Sequence, residues 1–230
     1  MSAVVFDIET VGMDFDDLDD LSKESFLKNA KDKAQEESIK ESLGFYPLTA
    51  QIVAIGMLEC NSEKGEVFFQ SPGQKVKNFK EGNIDYIVNT EKEILENFWK
   101  KISQYKRFVT FNGRGFDCPF IIVRSGISKV KPTKDLMPYR YDTKTHIDLF
   151  DQLSFYGATR RGFSLHMWTK SFGIKSPKVG GVAGAQVKDL FNRDGSLDIA
   201  RYCMRDVQAT KELYLSWEKY IKPPFNPQWK

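Results

Sequence analysis

Histidine and cysteine are nearly absent: the chain of 230 residues has two of the first and three of the second. Cys60, Cys118 and Cys203 form no Cys-x-x-Cys pair, and His146 and His166 stand apart, so the ligand clusters of a zinc centre are missing. Thiols so widely and oddly spaced point to a reduced, cytoplasmic protein rather than a disulfide framework. No apolar run approaches the roughly 20 residues that cross a bilayer. Residues 1–6 are too few, and lack the basic flank, for a signal peptide. The glycine-rich stretch Val179–Gly184 is not followed by Gly-Lys-Ser/Thr, which excludes a P-loop and leaves a connection. The acid run Asp14–Asp20 lacks the glycine and closing glutamate of a calcium loop. There is no internal repeat and no low-complexity segment.

What is present suits a folded domain. The chain is 41% hydrophobic with 18 phenylalanines, enough for a sizeable core. Its length fits one domain, or one with an insertion. The net charge of +3 is unevenly spread. Between Asp14 and Glu41 ten acids face five lysines, a local charge of −5, which leaves +8 on the remainder. A basic body suits a polyanionic partner, although so mild a charge is weak support on its own.

Residues 3–8 read as a buried strand. The charged stretch 13–44, rich in Ala, Lys, Glu and Leu, reads as one or two helices inserted between strands. Residues 51–58 and 66–70 are strands joined by the turn Asn61–Gly65, hence a hairpin. Residues 72–89 read as loop. Glu91–Tyr105 is a helix, with Ile94, Leu95, Phe98, Trp99 and Ile102 at three-four spacing and Thr90 as its cap with Glu93. Arg107–Phe111 is a fourth strand. Helices are expected over Phe116–Ser125 (closed by Gly126), His146–Phe155, Ser164–Phe172 (ended by Gly173) and about Leu197–Lys222. This order describes an α/β domain whose mixed sheet is flanked by helices. Residues 1–222 form the expected domain and 223–230 a tail.

The chemistry starts in the first strand, Val4-Val5-Phe6-Asp7-Ile8-Glu9-Thr10. The period of a strand puts Asp7 and Glu9 on one face. Two adjacent acids raise each other's pKa, and a cation between them relieves the crowding. Asp117 opens a helix just after the fourth strand, behind Asn112-Gly113-Arg114-Gly115-Phe116, a common functional position in α/β sheets. Taken alone it is equally a helix-start aspartate after an Asn-Gly turn. In the last helix Tyr202 and Asp206 are four apart on an apolar stripe with Ile199, Cys203 and Ala209. An aspartate there needs a partner, whether a cation, a backbone group, Arg201 or Arg205.

Three segments together resemble the exonuclease motifs of the DEDD superfamily of 3′–5′ exonucleases: Phe6-Asp7-Ile8-Glu9-Thr10, Asn112 to Pro119, and Tyr202-Cys203-Met204-Arg205-Asp206. A tyrosine four before the last aspartate resembles the tyrosine branch, DEDDy. The histidine branch has its histidine five before, where this chain has Arg201. The resemblance is closest to bacterial exonucleases related to the proofreading domain of family B DNA polymerases, and extends through His146–Phe150 and Ser164–Ile174.

The resemblance implies a ribonuclease H-like fold with a helical insertion after the first strand. It implies two Mg²⁺ or Mn²⁺ ions roughly 4 Å apart, held by Asp7, Glu9, Asp117 and Asp206. Asp7 would bridge them, with Glu9 and Asp206 on the first ion and Asp117 mainly on the second. Hydrolysis at a nucleic-acid 3′ end would release nucleoside 5′-monophosphates. Tyr202 would aim the attacking water, since a phenol of pKa about 10 is a poor base at neutral pH. Ile8, Thr10, Asn112 and Phe116 would meet the terminal nucleotide, and Arg114, Arg160, Arg161, Lys175 and Lys178 are candidate phosphate contacts. Single-stranded DNA ends are the expected substrate. An exoribonuclease and an inactive nucleic-acid-binding module are the alternatives. No polymerase motif accompanies the three segments, so proofreading or repair would need a partner. The acidic insertion would repel nucleic acid, which favours a position away from the strand's path.

Overall fold

The computed structural model describes residues 3–73, 76–177 and 187–222. Ala3–Gly12 forms strand β1, buried almost throughout because it lies inside the sheet. Ala50–Glu59 is β2 and Gly65–Phe69 is β3, and the two form the expected antiparallel hairpin, with β2 also antiparallel to β1. Phe79–Glu81 is β4, Ile84–Val88 is β5, Arg107–Thr110 is β6 and His146–Asp148 is β7. The sheet runs β4-β5-β3-β2-β1-β6-β7, with β6 and β7 parallel to β1.

The strand period divides the core. Ala3, Val5 and Val11 of β1 pack with Val53, Val67 and Val109 under the long helix Ser196–Tyr220, which contributes Cys203, Met204, Val207 and Trp217. Val4, Phe6 and Ile8 face the other way, under the helices Glu91–Ile102 and Asp117–Ile127. In chain order the helices are α1 (Asp20–Leu27), α2 (Lys33–Glu41), α3 (Glu91–Ile102), α4 (Asp117–Ile127), α5 (Leu149–Leu153), α6 (Leu165–Ser171), α7 (Val187–Asn192) and α8 (Ser196–Tyr220). Thr90 and Glu93 cap α3 reciprocally. The α3 face that buries Phe98 and Trp99 stabilises by about 1.5–3 kcal/mol for each such side chain.

The insertion is helical as expected. Asp19 caps α1 by accepting from Ser22 N–H (3.0 Å), and Asp32 caps α2 by accepting from Gln35 N–H (2.9 Å). Neither helix buries a residue fully.

Five segments depart from the reading above. Residues 72–89 contain β4 and β5 rather than loop alone; the Gly82-Asn83 turn, with Gly82 at φ +59°, joins them, and Phe79 stacks on Tyr86. The stretch read as one helix from His146 starts as strand β7, because a parallel partner is available in β6 and all three residues are buried. Helix α4 runs through Gly126 to Ile127, and the left-handed residue after it is Lys129 (φ +57°). Helix α3 stops at Ile102, and Tyr105 turns its hydroxyl to Glu59 (3.0 Å). Helix α7 has no counterpart in the sequence reading. Val179–Gly184, Lys178 and the tail lie outside the described residues.

Candidate metal centre and active site

Asp7 and Glu9 leave β1 on the side where α8 crosses it. Asp7 pairs across the sheet with Gly56, and a Cβ on Gly56 would lie 3.0 Å from Val207 and 3.2 Å from the Cys203 sulfur. Glycine there lets α8 sit directly on the strands. The Cys203 thiol then donates to the Asp7 backbone carbonyl (3.5 Å), which registers the helix on β1. Tyr202 and Asp206, on either side of Cys203, come to the carboxylate pair. The Tyr202 hydroxyl donates to the Asp206 carboxylate.

Asp117 arrives from the opposite helical layer. It begins α4, is 3% exposed, and its Oδ1 accepts from Ile8 N–H (3.1 Å), tying the helix start to β1 between Asp7 and Glu9. Asp148, which the sequence reading did not single out, sets the loop before it. Its Oδ1 accepts from Asn112 N–H (2.8 Å) and Phe150 N–H (3.0 Å), and its Oδ2 accepts from Arg114 N–H (2.9 Å). Asn112 adopts φ +62° in this loop. The signal for Asp148 was its segment, His146–Phe150, which shares the family resemblance.

Burial and mutual repulsion shape the charges. Burial, then Asp117, Asp206 and Glu9, push the Asp7 carboxyl well above the usual range. Glu9 is pushed well up by burial, then by Asp206 and Asp117, while Arg205 opposes the rise. Asp117 is pushed up to about 7, by burial first, against the pull of backbone hydrogen bonds. Burial and the neighbouring acids drive the Tyr202 phenol far up, so it stays neutral. Ligand atoms of Asp7, Glu9 and Cys203 lie within 4.8 Å of one another. Burial keeps the Cys203 thiol protonated, so the available donors are carboxylate oxygens. Crowded, buried oxygen donors fit a hard divalent cation, which would offset the repulsion that now holds protons on them.

Arg205 is a further residue the sequence reading weighed only as a partner for Asp206. Its guanidinium lies 5.6 Å from the Tyr202 ring centre, and its buried Nε–H has no hydrogen-bond partner. Arg201, in the place of the other branch's histidine, pairs instead with Glu81 (2.5 Å).

Of the residues expected to meet a terminal nucleotide, Ile8, Thr10 and Phe116 line a cavity of about 680 Å³ beside Glu9. Asn112 is not among its lining residues. The Arg114 guanidinium is held by the carbonyls of Pro138 (2.8 Å) and Tyr139 (3.3 Å). Arg160, Arg161 and Lys175 are exposed. The insertion, expected away from the strand's path, walls this same cavity through Phe15, Lys40 and Phe45.

A mixed sheet flanked by helices, with acids from three segments gathered over its central strand, defines a carboxylate-centred α/β protein able to hold a cation. A family model described as a predicted 3′–5′ exonuclease related to the exonuclease domain of PolB matches residues 45–222, and the chain belongs to that family. It is therefore an enzyme of the 3′–5′ exonuclease class. The matched span holds Asp117, Tyr202 and Asp206; Asp7, Glu9 and nearly all the insertion precede it. Among solved structures, the family B DNA polymerase of the hyperthermophilic archaeon Pyrobaculum calidifontis is similar over 94% of this chain, with a TM-score of 0.60 and 16% identity. The chain spans 24% of that polymerase. The likeness shows the fold, which is ribonuclease H-like. No curated protein matches the chain. Among the described residues no helix is long and apolar enough to cross a membrane.

Proposed function

We propose that the chain is a tyrosine-branch (DEDDy) exonuclease that removes nucleotides from single-stranded DNA 3′ ends, with Asp7, Glu9, Asp117 and Asp206 as ligands for two Mg²⁺ or Mn²⁺ ions. The observation that carries this reading is the convergence of those four acids, each from a motif segment, with Tyr202 hydrogen-bonded to the last. DNA is favoured over RNA because the family is related to a DNA polymerase's exonuclease domain. Residues 1–222 would act as one domain.

When bound, the ions would supply Lewis-acid activation of the attacking water and stabilise the leaving 3′ oxygen. The chain's own residues do the positioning. Asp7, at the centre of the cluster, would be the shared ligand; Glu9 and Asp206 would hold one ion and Asp117 the other. Loading the site must displace protons from these acids, so affinity rises with pH. Tyr202 stays a neutral phenol, which suits it to orient the attacking water rather than to take its proton. The backbone at Ile8 and Thr10, with Asn112 and Phe116, would seat the terminal nucleotide. Proofreading or repair would place a polymerase or repair protein beside it.

Purified protein given matched, 5′-labelled DNA and RNA oligonucleotides with Mn²⁺ or Mg²⁺ should release nucleoside 5′-monophosphates from the 3′ end, faster from DNA, and chelation should stop it. Release of no mononucleotides from either polymer would overturn the reading. Faster release from RNA would move it to an exoribonuclease.

A further inference from the structure

The insertion ends in a short 3-10 turn, Ser42–Phe45, that is clamped onto the end of β1. Thr10 Oγ1 donates to the Gly44 carbonyl (2.7 Å), and Thr49 Oγ1 donates to the Leu43 carbonyl (2.8 Å). Met13 N–H donates to the Thr49 carbonyl (2.8 Å). The contact is backbone on backbone: a Cβ on Gly12 would stand 2.6 Å from Gly44 N. Leu43 is buried under this clamp, whereas Phe45 is 66% exposed. A large aromatic ring is thus held in solvent on a turn with little freedom. Its neighbour is Phe116, with ring centres 6.3 Å apart and edge to face. Tyr46 and Leu48 beside Phe45 are exposed too (45% and 76%), and apolar side chains exposed together mark a contact surface.

Both rings line the cavity beside Glu9. Its volume of about 680 Å³ lies within the roughly 300–1,000 Å³ of small-ligand sites. Its charges are unsuited to phosphate. Glu9, Asp14, Glu41 and Asp189 face it, against Lys40 and Lys188. Both lysines are already paired, Lys40 with Glu37 (2.8 Å) and Lys188 with Asp14 (2.7 Å). An aromatic wall inside an acidic rim accepts a flat, uncharged group and repels a chain of phosphates.

We infer that the insertion builds a pocket for the base of the 3′-terminal nucleotide, with Phe45 as its stacking wall, and so selects chain ends over chain interiors. This rests on the exonuclease reading above. The base enters beside Glu9 and stacks on Phe45, while Phe116, at 69° to that ring, meets the base with its edge. The sugar-phosphate chain can leave only away from the insertion, because the rim repels any further phosphate. The acidity that spoke against the insertion lying near the substrate is, on this geometry, what blocks the strand from passing through.

The test compares two single-stranded oligonucleotides that differ only at the 3′-terminal residue, one with its base and one abasic. Binding is followed by fluorescence anisotropy in Ca²⁺, and release of the terminal nucleotide is followed separately in Mn²⁺. Wild-type protein should bind the abasic end about tenfold more weakly, the scale of one base-aromatic stack. Phe45→Ala should weaken binding of the ordinary end by a similar factor and bring the two ends within about twofold of each other. Phe45→Tyr should retain the discrimination. Because Phe45 is exposed, none of these changes threatens the fold. Equal binding of both ends by wild type, or full discrimination by Phe45→Ala, overturns the inference. Discrimination without nucleotide release would sink the exonuclease reading alone.

Discussion

Two acidic regions meet beside β1, and they behave in opposite ways. The insertion has ten acids between Asp14 and Glu41, more than twice the number in the cluster over β1. Yet its acids are mostly exposed and have local work: Asp19 and Asp32 cap helices, and Glu37 and Asp14 pair with lysines. Asp19 is even pulled below its ordinary pKa by the Ser22 hydroxyl. The four acids over β1 are largely withdrawn from water, and burial and their neighbours raise Asp7, Glu9 and Asp117 even though Asp117 accepts from Ile8 N–H. Acid density in the sequence therefore does not mark the reactive site. Burial that crowds carboxylates together does.

The largest effect expected from this contrast is on catalysis. Asp7→Ala should lower nucleotide release on the order of a thousandfold, the upper range for losing one electrostatic contact to a transition state. Replacing Asp17 and Glu24 of the insertion by their amides should leave the rate within about twofold, since both are exposed. Comparable losses from the two regions would erase the distinction.

Stability against pH comes next. With its carboxyl raised from 3.8 to about 7, Asp117 keeps its proton in the fold where the unfolded chain has lost it. Such a group contributes stability below pH 4 that drains away as pH rises through 7. Metal-free protein should lose melting temperature between pH 4 and 7, and Mn²⁺ should restore it above pH 7. Asp7→Ala, by easing the crowding, should flatten the metal-free decline. Thermal melts with chelator across that range would expose a flat profile, which contradicts the account.

Tyr202→Phe should slow release about ten- to a hundredfold through a mispositioned water, with Mn²⁺ affinity nearly unchanged by calorimetry. An equal loss of metal binding would make Tyr202 a structural residue. The smallest effect belongs to the insertion. Asp19→Ala should speed amide exchange severalfold across α1, through the lost cap, without altering the rate.

Local pattern was a good guide wherever one element carries the signal. The alternation of β1, the one-turn spacing of Tyr202 and Asp206, the Thr90 capping box and the positive-φ Gly173 all act within a few residues, and each was legible. Residues whose state depends on a distant partner were not. His146 looked helical, but in β7 it bonds Thr110 (2.8 Å) and stacks on Phe108, and burial lowers it to about 3. Asp148 matters because it holds a loop 36 residues away, and Arg205 because its charge opposes the rise of the Glu9 carboxyl.

What the sequence determined by itself is the set of acids and the elements that bear them, since strand and helix periods follow from backbone geometry. The tertiary structure alone decided how the acids meet. Gly56 admits α8, Asp117 reaches back to Ile8, and the turn clamped on β1 brings a solvated acidic insertion to the edge of a buried one. Those contacts join residues far apart in the chain, and no local period encodes them.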